Sequence, residues 1–563
     1  MKQFDLVLVN ARICDGSGEA EYNGSVALQG GKIAAVGAVP ADGSPTLDVG
    51  GKVVSPGFID PHTHYDAQLV WDGLLMPAVE HGVTTVVTGN CSLSLAPVRA
   101  KDREIVGATF RKIEEMPKSA FDAGLNWDWE TFADYAATIR SGLGVNVGVL
   151  VGHSMLRLWV MGEASRERSA TAEETVQMQE LLRQCLAAGA LGMSTSWVDI
   201  DHENRPVPAR LASADELDAL CAVLGEEGRA LQAVPEFWDR DLVLTRIDML
   251  ADLSRRHGIM TTFSPVFHSN AQPELTDEII GRVKLQSAHG ARVVPQMQTR
   301  PIDLSFDANA SFSLYGKMPT WWQTLLLPAS ERRAAVLDPE HRSRLVAEME
   351  GAHSPMGLEV DYRKAYVKRA VGPENKALEG RIIGDLADER GCTVAEVILD
   401  ISLSDDFQTS FGLDAVGHND LAAIAGFLAE PLVAIGAGDG GAHVSNFATY
   451  GDTCFLFSEF VRRRSAMSLE TAVHKLTHDV ARTWGLADRG LIRPGFAADL
   501  VIFDPDIVDR GPEIAVEDLP GGGYRYIRRA SGIETVFVNG ELVYSQADGY
   551  SDARAGQMLP LAA

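Results

Sequence analysis

Residues 57–66 read "GFIDPHTHYD", with two histidines one residue apart directly after an apolar run. In extended chain, side chains at i and i+2 share a face, so His62 and His64 project together from the end of "KVVSPGFID". That is a metal-ligand geometry. Other chemically capable residues close later apolar runs. They are Cys91 after "VTTVVTGN", His153 after "VGVLVG", Glu236 after "ALQAVP", His268 after "TTFSPVF" and Asp439 after "LVAIGAG". Imidazole, thiolate and carboxylate are the ligand set Zn²⁺ prefers. A lone histidine here would read as a hydrogen-bonded structural residue, and a lone cysteine as a small core hydrophobe. Their convergence from distant parts of the chain favours a metal site. His474 and His478 in "TAVHKLTHDVARTWG" lack a matched acid motif and read as structural residues of an outer helix.

These positions must be held by a scaffold, and the alternation of apolar runs with helical stretches identifies it. Helical patterns such as "SADELDALCAVLGEEGR" and "RDLVLTRIDMLADLSRRHG" alternate with eight β-type runs, at 53–60, 83–89, 145–152, 190–196, 230–236, 259–267, 292–299 and 432–438. Eight suggests an α/β fold, a closed (β/α)8 (TIM) barrel whose chemistry sits at the C-terminal ends of its strands. The interval 301–431 is too long for one loop and one helix, so a helical insertion is expected there, including "PTWWQTLLLPASERRAAVL" and "LEGRIIGDLADERGCTVAEVILDISL". Short β runs at 5–56 return in kind at 494–506 and 532–544, the latter with a hairpin-type Asn-Gly at 539–540. The expected organisation is therefore a small β-sandwich built from residues 1–56 and 490–563, flanking a barrel over 57–489.

Composition narrows the function classes. At 563 residues the chain exceeds one ordinary domain, and 46% hydrophobic content supplies a large core. With 77 acidic against 50 basic residues, a net charge of −27 opposes phosphate-backbone binding, so nucleic acid is not an expected partner. The short basic clusters "VRRRS" and "YRYIRRAS" read as solvated faces. No uninterrupted apolar run reaches the ~18 residues of a membrane span, and the first residues lack the pattern of a signal peptide. A cytoplasmic protein with a small-molecule substrate is expected, with homo-oligomerisation left open. Six cysteines scattered without paired spacing argue against a disulfide framework.

"VVSPGFIDPHTHYDAQ", "HGVTTVVTGNCSLSLAPV", "GALGMSTS", "IGAGDGGAH" and "RGLIRPGFAADLVIFD" together resemble the amidohydrolase superfamily, and "TGNCSLSLAPV", with its cysteine, resembles its D-aminoacylase-like branch of N-acyl-D-amino-acid amidohydrolases. The likeness runs from "DLVLVNARICDGSG" to "TVFVNGELVY". It implies a metal-bearing (β/α)8 barrel, a β-sandwich from both chain ends, one or two zinc ions and hydrolysis of an amide-type bond. It implies His62, His64, Cys91 and His268 as ligands, and Asp439 as both a metal contact and the proton shuttle. His153, Glu236, Asn270, Arg300 and His443 become candidates for substrate binding.

The chain departs from the family pattern at several of these places. The fifth strand offers Glu236 where the family carries a histidine, and the fourth, "ALGMSTS", has no lysine to bridge two metals. The family's cationic and phenolic anchors for a substrate carboxylate are missing. Asn270 stands where a lysine would be, "VVPQMQTRPID" lacks a tyrosine and "NFATYGDT" lacks an arginine, which leaves Arg300 as a substitute anchor. The leading reading is a zinc-dependent amidohydrolase of an N-acyl amino acid or related N-acyl compound. A cyclic amidase or lactonase, and a non-catalytic binding relative, are the alternatives.

Overall fold

The β-branched runs of the sequence become the walls of a barrel. A computed structural model describes residues 4–40, 42–309, 313–315, 317–351 and 358–559. Eight strands, β1 (Phe58–Asp60), β2 (Val83–Thr88), β3 (Asn146–Gly152), β4 (Gly192–Ser196), β5 (Ala230–Val234), β6 (Thr261–Phe263), β7 (Val293–Met297) and β8 (Ala434–Ile435), pair in parallel in that order. A parallel bridge between Thr63 and Gly440 joins the last strand's end to the first's, and the His64 N–H donates to the Gly440 carbonyl at 2.8 Å. The chain is an α/β protein built on a (β/α)8 barrel. Burial on both faces explains why "VTTVVT" and "NVGVLVG" read as continuous apolar runs.

Local signals set the covering helices. Helix Ala172–Ala187 starts with a full capping box, Thr171 with Glu174. Helix Arg240–His257 has Asp239 as its N-cap and ends in Arg255, Arg256 and His257 before the left-handed Gly258.

Both chain ends share one nine-stranded sheet. Val53–Pro56 is its hinge, parallel to Leu6–Ile13 and antiparallel to Leu500–Phe503. The far edge, Lys32–Gly37, meets the chain again through a Lys32–Ala497 bridge, which folds the sheet over a core of Leu8, Ile13, Val26, Val54, Leu500 and Phe537. Asn539 and Gly540 both take positive φ (46° and 82°), as a two-residue hairpin turn requires.

By its contacts the chain divides into two compact units. One comprises Met1–Val266, Thr276–Thr299 and Ala425–Ala563, and the other Phe267–Leu275 and Arg300–Ile424. The second packs helices including Pro339–Glu350 and Val394–Ser404 around Tyr315, Trp321, Leu345 and Ile398. It is not helical throughout. Ile302–Asp307, Ser410–Gly417 and Tyr366–Arg369 form a three-stranded antiparallel sheet, which periodicity alone does not reveal because these runs are short and mixed in polarity.

A buried polar network ties the terminal sheet to the barrel floor. Asp499 accepts from Arg489 Nη1 (2.6 Å), Asn146 Nδ2 (3.0 Å) and the Asn539 N–H (2.8 Å). Asn539 Nδ2 in turn donates to Asn146 Oδ1 (2.8 Å). Arg489 and Asp499 are both buried, so Asp499→Ala takes from the guanidinium its buried carboxylate, leaving it Asp488 at Nε (3.1 Å), and orphans the Asn539 N–H inside the protein. The expected loss is about 3–5 kcal/mol, read as a lowered Tm, and an unchanged Tm would show that the network contributes nothing to stability.

Candidate active site

His62 and His64 lie just past β1, both buried, with ring centroids 5.3 Å apart. Cys91 follows β2 on a backbone turned left-handed at Cys91 (φ 57°) and Ser92 (φ 64°). That conformation is costly for residues with a Cβ and persists where the surroundings enforce it. Cys91 Sγ lies 3.4 Å from His62 Nε2 and 3.7 Å from His64 Nε2. Asp439, beyond β8 and also left-handed (φ 55°), sets Oδ1 at 3.3 Å from His62 Nε2 and 3.7 Å from His64 Nε2. Among the described residues, the ligand atoms of His62, His64 and Cys91 lie within 4.8 Å of one another, as a shared metal ion requires.

The supports of these groups make the arrangement specific. His62 Nδ1 lies 2.8 Å from Ser264 Oγ, which also accepts from Gln232 Nε2 (3.1 Å), while Gln232 Oε1 accepts the Cys91 N–H (3.1 Å). Ser194 Oγ accepts the Ser92 N–H (3.0 Å) and donates to the Gly89 carbonyl (2.5 Å). Ser194 and Gln232 are register partners on β4 and β5, so neighbouring strands grip the cysteine loop together. His64 Nδ1 lies 3.1 Å from Glu114 Oε1, at the end of helix Arg103–Glu114. With Nδ1 of each ring engaged, Nε2 of each is turned to the cluster, the arrangement in which outer partners fix the orientation of metal-ligating histidines. The donor set of two imidazoles, a thiol and a carboxylate fits a zinc ion.

Sequence reasoning missed Ser194, Gln232, Ser264 and Glu114. The available signal was polar residues inside otherwise apolar barrel strands, "GMSTS" and "ALQAV", where burial demands a partner.

The electrostatics are those of largely buried groups. Burial pushes the Cys91 thiol up to about 12 and His62 down to about 4. Burial also opposes charge on His64, but the Glu114 carboxylate, Cys91 and the hydrogen bond with Asp439 together outweigh it and hold that ring well above its ordinary value. For Asp439, burial is overcome by the hydrogen bond with His64 and the charges of His62, His64 and His443, which keep the carboxyl far below the usual range.

The other candidates have different surroundings. His153 is buried, with Nδ1 at 3.1 Å from Thr195 Oγ1 and Nε2 at 2.8 Å from Glu216, itself paired with Arg157. Both ring nitrogens are occupied, so the structure gives His153 a positioning role in the barrel wall and no free nitrogen for substrate. Glu236 is held by both arms of Arg246 (2.8 and 3.0 Å), and the fifth-strand side chain that reaches the cluster is Gln232, because it points inward while Glu236 lies past the strand. His443 Nδ1 lies 2.9 Å from Glu115 Oε2. His268, Asn270 and Arg300 belong to the second compact unit. There the His268 N–H donates to His418 Nδ1 (2.9 Å), the His418 N–H donates to the His268 carbonyl (3.1 Å), and Asn270 Nδ2 donates to Asn419 Oδ1 (3.0 Å). His474 Nδ1 lies 2.8 Å from the Gly16 carbonyl, a structural contact.

A parallel barrel that gathers a His-x-His pair, a cysteine and an aspartate beyond the C-terminal ends of its strands has the architecture of a barrel hydrolase. The chain belongs to the amidohydrolase family, whose model matches residues 46–544. Within it, the chain is of the D-aminoacylase-like branch, hydrolases of carbon–nitrogen bonds other than peptide bonds. It is 30% identical over 595 residues to an uncharacterised protein of Mycobacterium bovis, covering 99% of this chain and 95% of that protein. It is 28% identical over 568 residues to N-acyl-D-aspartate deacylase of Alcaligenes xylosoxydans xylosoxydans, with the same coverage. Solved structures of D-aminoacylase, an enzyme described as having a binuclear metal centre, match with TM-score 0.68 at 27% identity over 99% of both chains.

The raised thiol gives a pH test. At neutral pH the Cys91 thiol is protonated without metal, and ligation needs the thiolate, so Zn²⁺ binding must expel that proton. Calorimetry in buffers of different ionisation enthalpy should show at least about one proton released per ion, with apparent affinity rising at least about tenfold per pH unit. In Cys91→Ala the cysteine's proton should vanish from the balance. Equal proton release in both proteins would return Cys91 to a core residue.

Proposed function

We propose that this protein hydrolyses the amide bond of an N-acyl amino acid or a closely related N-acyl compound, using zinc held by His62, His64, Cys91 and Asp439. His268 joins that set on the sequence resemblance alone. The observation that carries the reading is the carboxylate of Asp439 set at 3.3 and 3.7 Å from the Nε2 atoms of the His-x-His pair, with Cys91 Sγ beside them. The names of its relatives, which include N-acyl-D-aspartate deacylase and D-aminoacylase, support an N-acyl amino acid as the substrate class.

A zinc ion in this centre would polarise the scissile carbonyl and lower the pKa of its water towards ~7. The chain's own residues handle the proton. Asp439 is a carboxylate at neutral pH, so it can take the proton of the attacking water as the water oxygen bonds the carbonyl carbon. It returns that proton to the departing nitrogen as the C–N bond breaks, leaving a carboxylic acid and an amine. Gln232 and Ser264 hold the cysteine backbone and the His62 ring still during both transfers. The enzyme is read as cytoplasmic with a small-molecule substrate, and among the described residues no helix is long and apolar enough to cross a membrane.

Asp439→Asn tests the shuttle, because asparagine matches the shape of aspartate and tolerates left-handed backbone. The variant should keep its Tm and lose a factor of ~10² or more in kcat, measured as amine released from N-acyl amino acids. Turnover within a few-fold of wild type would remove Asp439 from the mechanism.

A further inference from the structure

Two acids in tandem, Glu114 and Glu115, close the helix that runs from Arg103, within a stretch, "FRKIEEMPK", that matches no motif. Glu114 faces His64, as described above. Its neighbour faces the loop that carries Asp439. Glu115 Oε2 lies 2.9 Å from His443 Nδ1, with side-chain exposures of 17% and 30%. The Glu114 carbonyl accepts the His443 N–H at 2.6 Å, and the His443 ring stacks on Phe447 with centroids 5.3 Å apart and planes inclined by 17°. Glu115 and His443 both sit in the left-handed region, at φ 51° and 53°, so each backbone is held in a conformation the residue alone would avoid.

The imidazole is thus fixed through its backbone, its face and one nitrogen. Its other nitrogen, Nε2, has no hydrogen-bond partner among the described residues, and the side chain keeps about a third of its surface open. Burial disfavours charge on this ring, but the hydrogen bond with Glu115 and the charges of Glu115, Glu114 and Asp439 prevail and raise it to about 9. The histidines that hold the Asp439 carboxyl low are His62, His64 and His443. The first two turn Nε2 to the ligand cluster. Of these three rings only His443 has a nitrogen without a hydrogen-bond or ion-pair partner among the described residues.

A fixed imidazolium with a spare N–H, four residues from the proposed proton shuttle, suits a charge-assisted hydrogen bond to an anionic oxygen. We propose that His443, oriented by Glu115, is the anion-binding residue of this active site and donates its Nε2–H to a negatively charged oxygen of the substrate. This rests on the amide-hydrolase reading above. The oxygen has two sources: the free carboxylate of an N-acyl amino acid, or the carbonyl oxygen that gains charge as water adds. Glu115 acts through His443 and is a positioning residue.

The test uses the full zinc-loaded chain as wild type, His443→Asn and Glu115→Gln. Asparagine accepts left-handed backbone, and Glu115→Gln keeps the shape of the side chain while removing its charge. Values of kcat and KM are measured for N-acetyl-D-methionine and its neutral carboxamide. Calorimetry gives the affinity for N-methylsulfonyl-D-methionine, a carboxylate-bearing analogue without a hydrolysable amide, and Tm checks folding. If the carboxylate is the ligand, KM for the free acid rises at least tenfold in both variants, the acid-to-carboxamide ratio of kcat/KM collapses and the sulfonamide affinity falls by a similar factor. If the reacting carbonyl oxygen is the ligand, kcat falls at least tenfold for acid and carboxamide alike while sulfonamide affinity holds.

The inference is overturned if both variants stay within twofold of wild type in kcat, KM and sulfonamide affinity. Should the wild type hydrolyse neither compound, the amide-hydrolase reading fails, and the calorimetric comparison decides this inference separately: tenfold weaker sulfonamide binding in His443→Asn supports an anion site, and equal binding overturns it.

Discussion

The hydrogen bond from the His64 N–H to the Gly440 carbonyl is the seam on which this structure closes. It joins the end of the first barrel strand to the end of the eighth, and its two residues adjoin the chemistry. His62 and His64 lie on one side and Asp439 on the other, so closing the barrel and assembling the donor cluster are the same event. A barrel left open between β1 and β8 would separate the histidine pair from its aspartate. The close packing of the walls therefore enforces short distances among groups that would otherwise remain hydrated.

The seam explains the glycine-rich loop "GAGDGGAH". A Cβ at Gly440 would lie 2.6 Å from Tyr65 Oη, and one at Gly441 would lie 2.7 Å from Tyr65 Cδ1. These positions accept no side chain, because Tyr65 of the His-x-His loop packs directly on their backbone. Ala437, Asp439 and His443 take left-handed φ within the same loop, and this ends the ladder of β8 after two residues. The loop gives up regular pairing, and in exchange it turns a carboxylate and an imidazole in different directions from a short stretch of chain.

The barrel was legible because its strands are buried on both faces and their apolar runs are bounded by glycine, proline and polar residues. The His-x-His pair, Cys91 and Asp439 were legible because each closes such a run. Position at a strand end did not by itself distinguish cluster residues from their neighbours. His153 and Glu236 also close apolar runs, yet Glu216 and Arg246, each on a covering helix, engage them. Those contacts depend on how a helix is rotated against the sheet, which no local pattern encodes. The supports were invisible for a similar reason. Gln232 serves Cys91 and Ser264 from distant segments, and Glu114 belongs to a helix with an ordinary charged sequence.

The hinge strand Val53–Pro56 has a consequence for how the molecule is made. It pairs with Leu500–Phe503, and β3 is flanked at its start by Met558–Leu559, so two early segments wait for partners near the other end of the chain. On a ribosome, the first fifty residues emerge as strands with one edge unmet while several hundred more are translated. Pairings of such long sequence separation are slow and leave edges exposed to aggregation. The nascent N-terminal segment is therefore the part of this protein with most to gain from a chaperone, and the terminal sheet is completed only after the barrel between its halves has been synthesised.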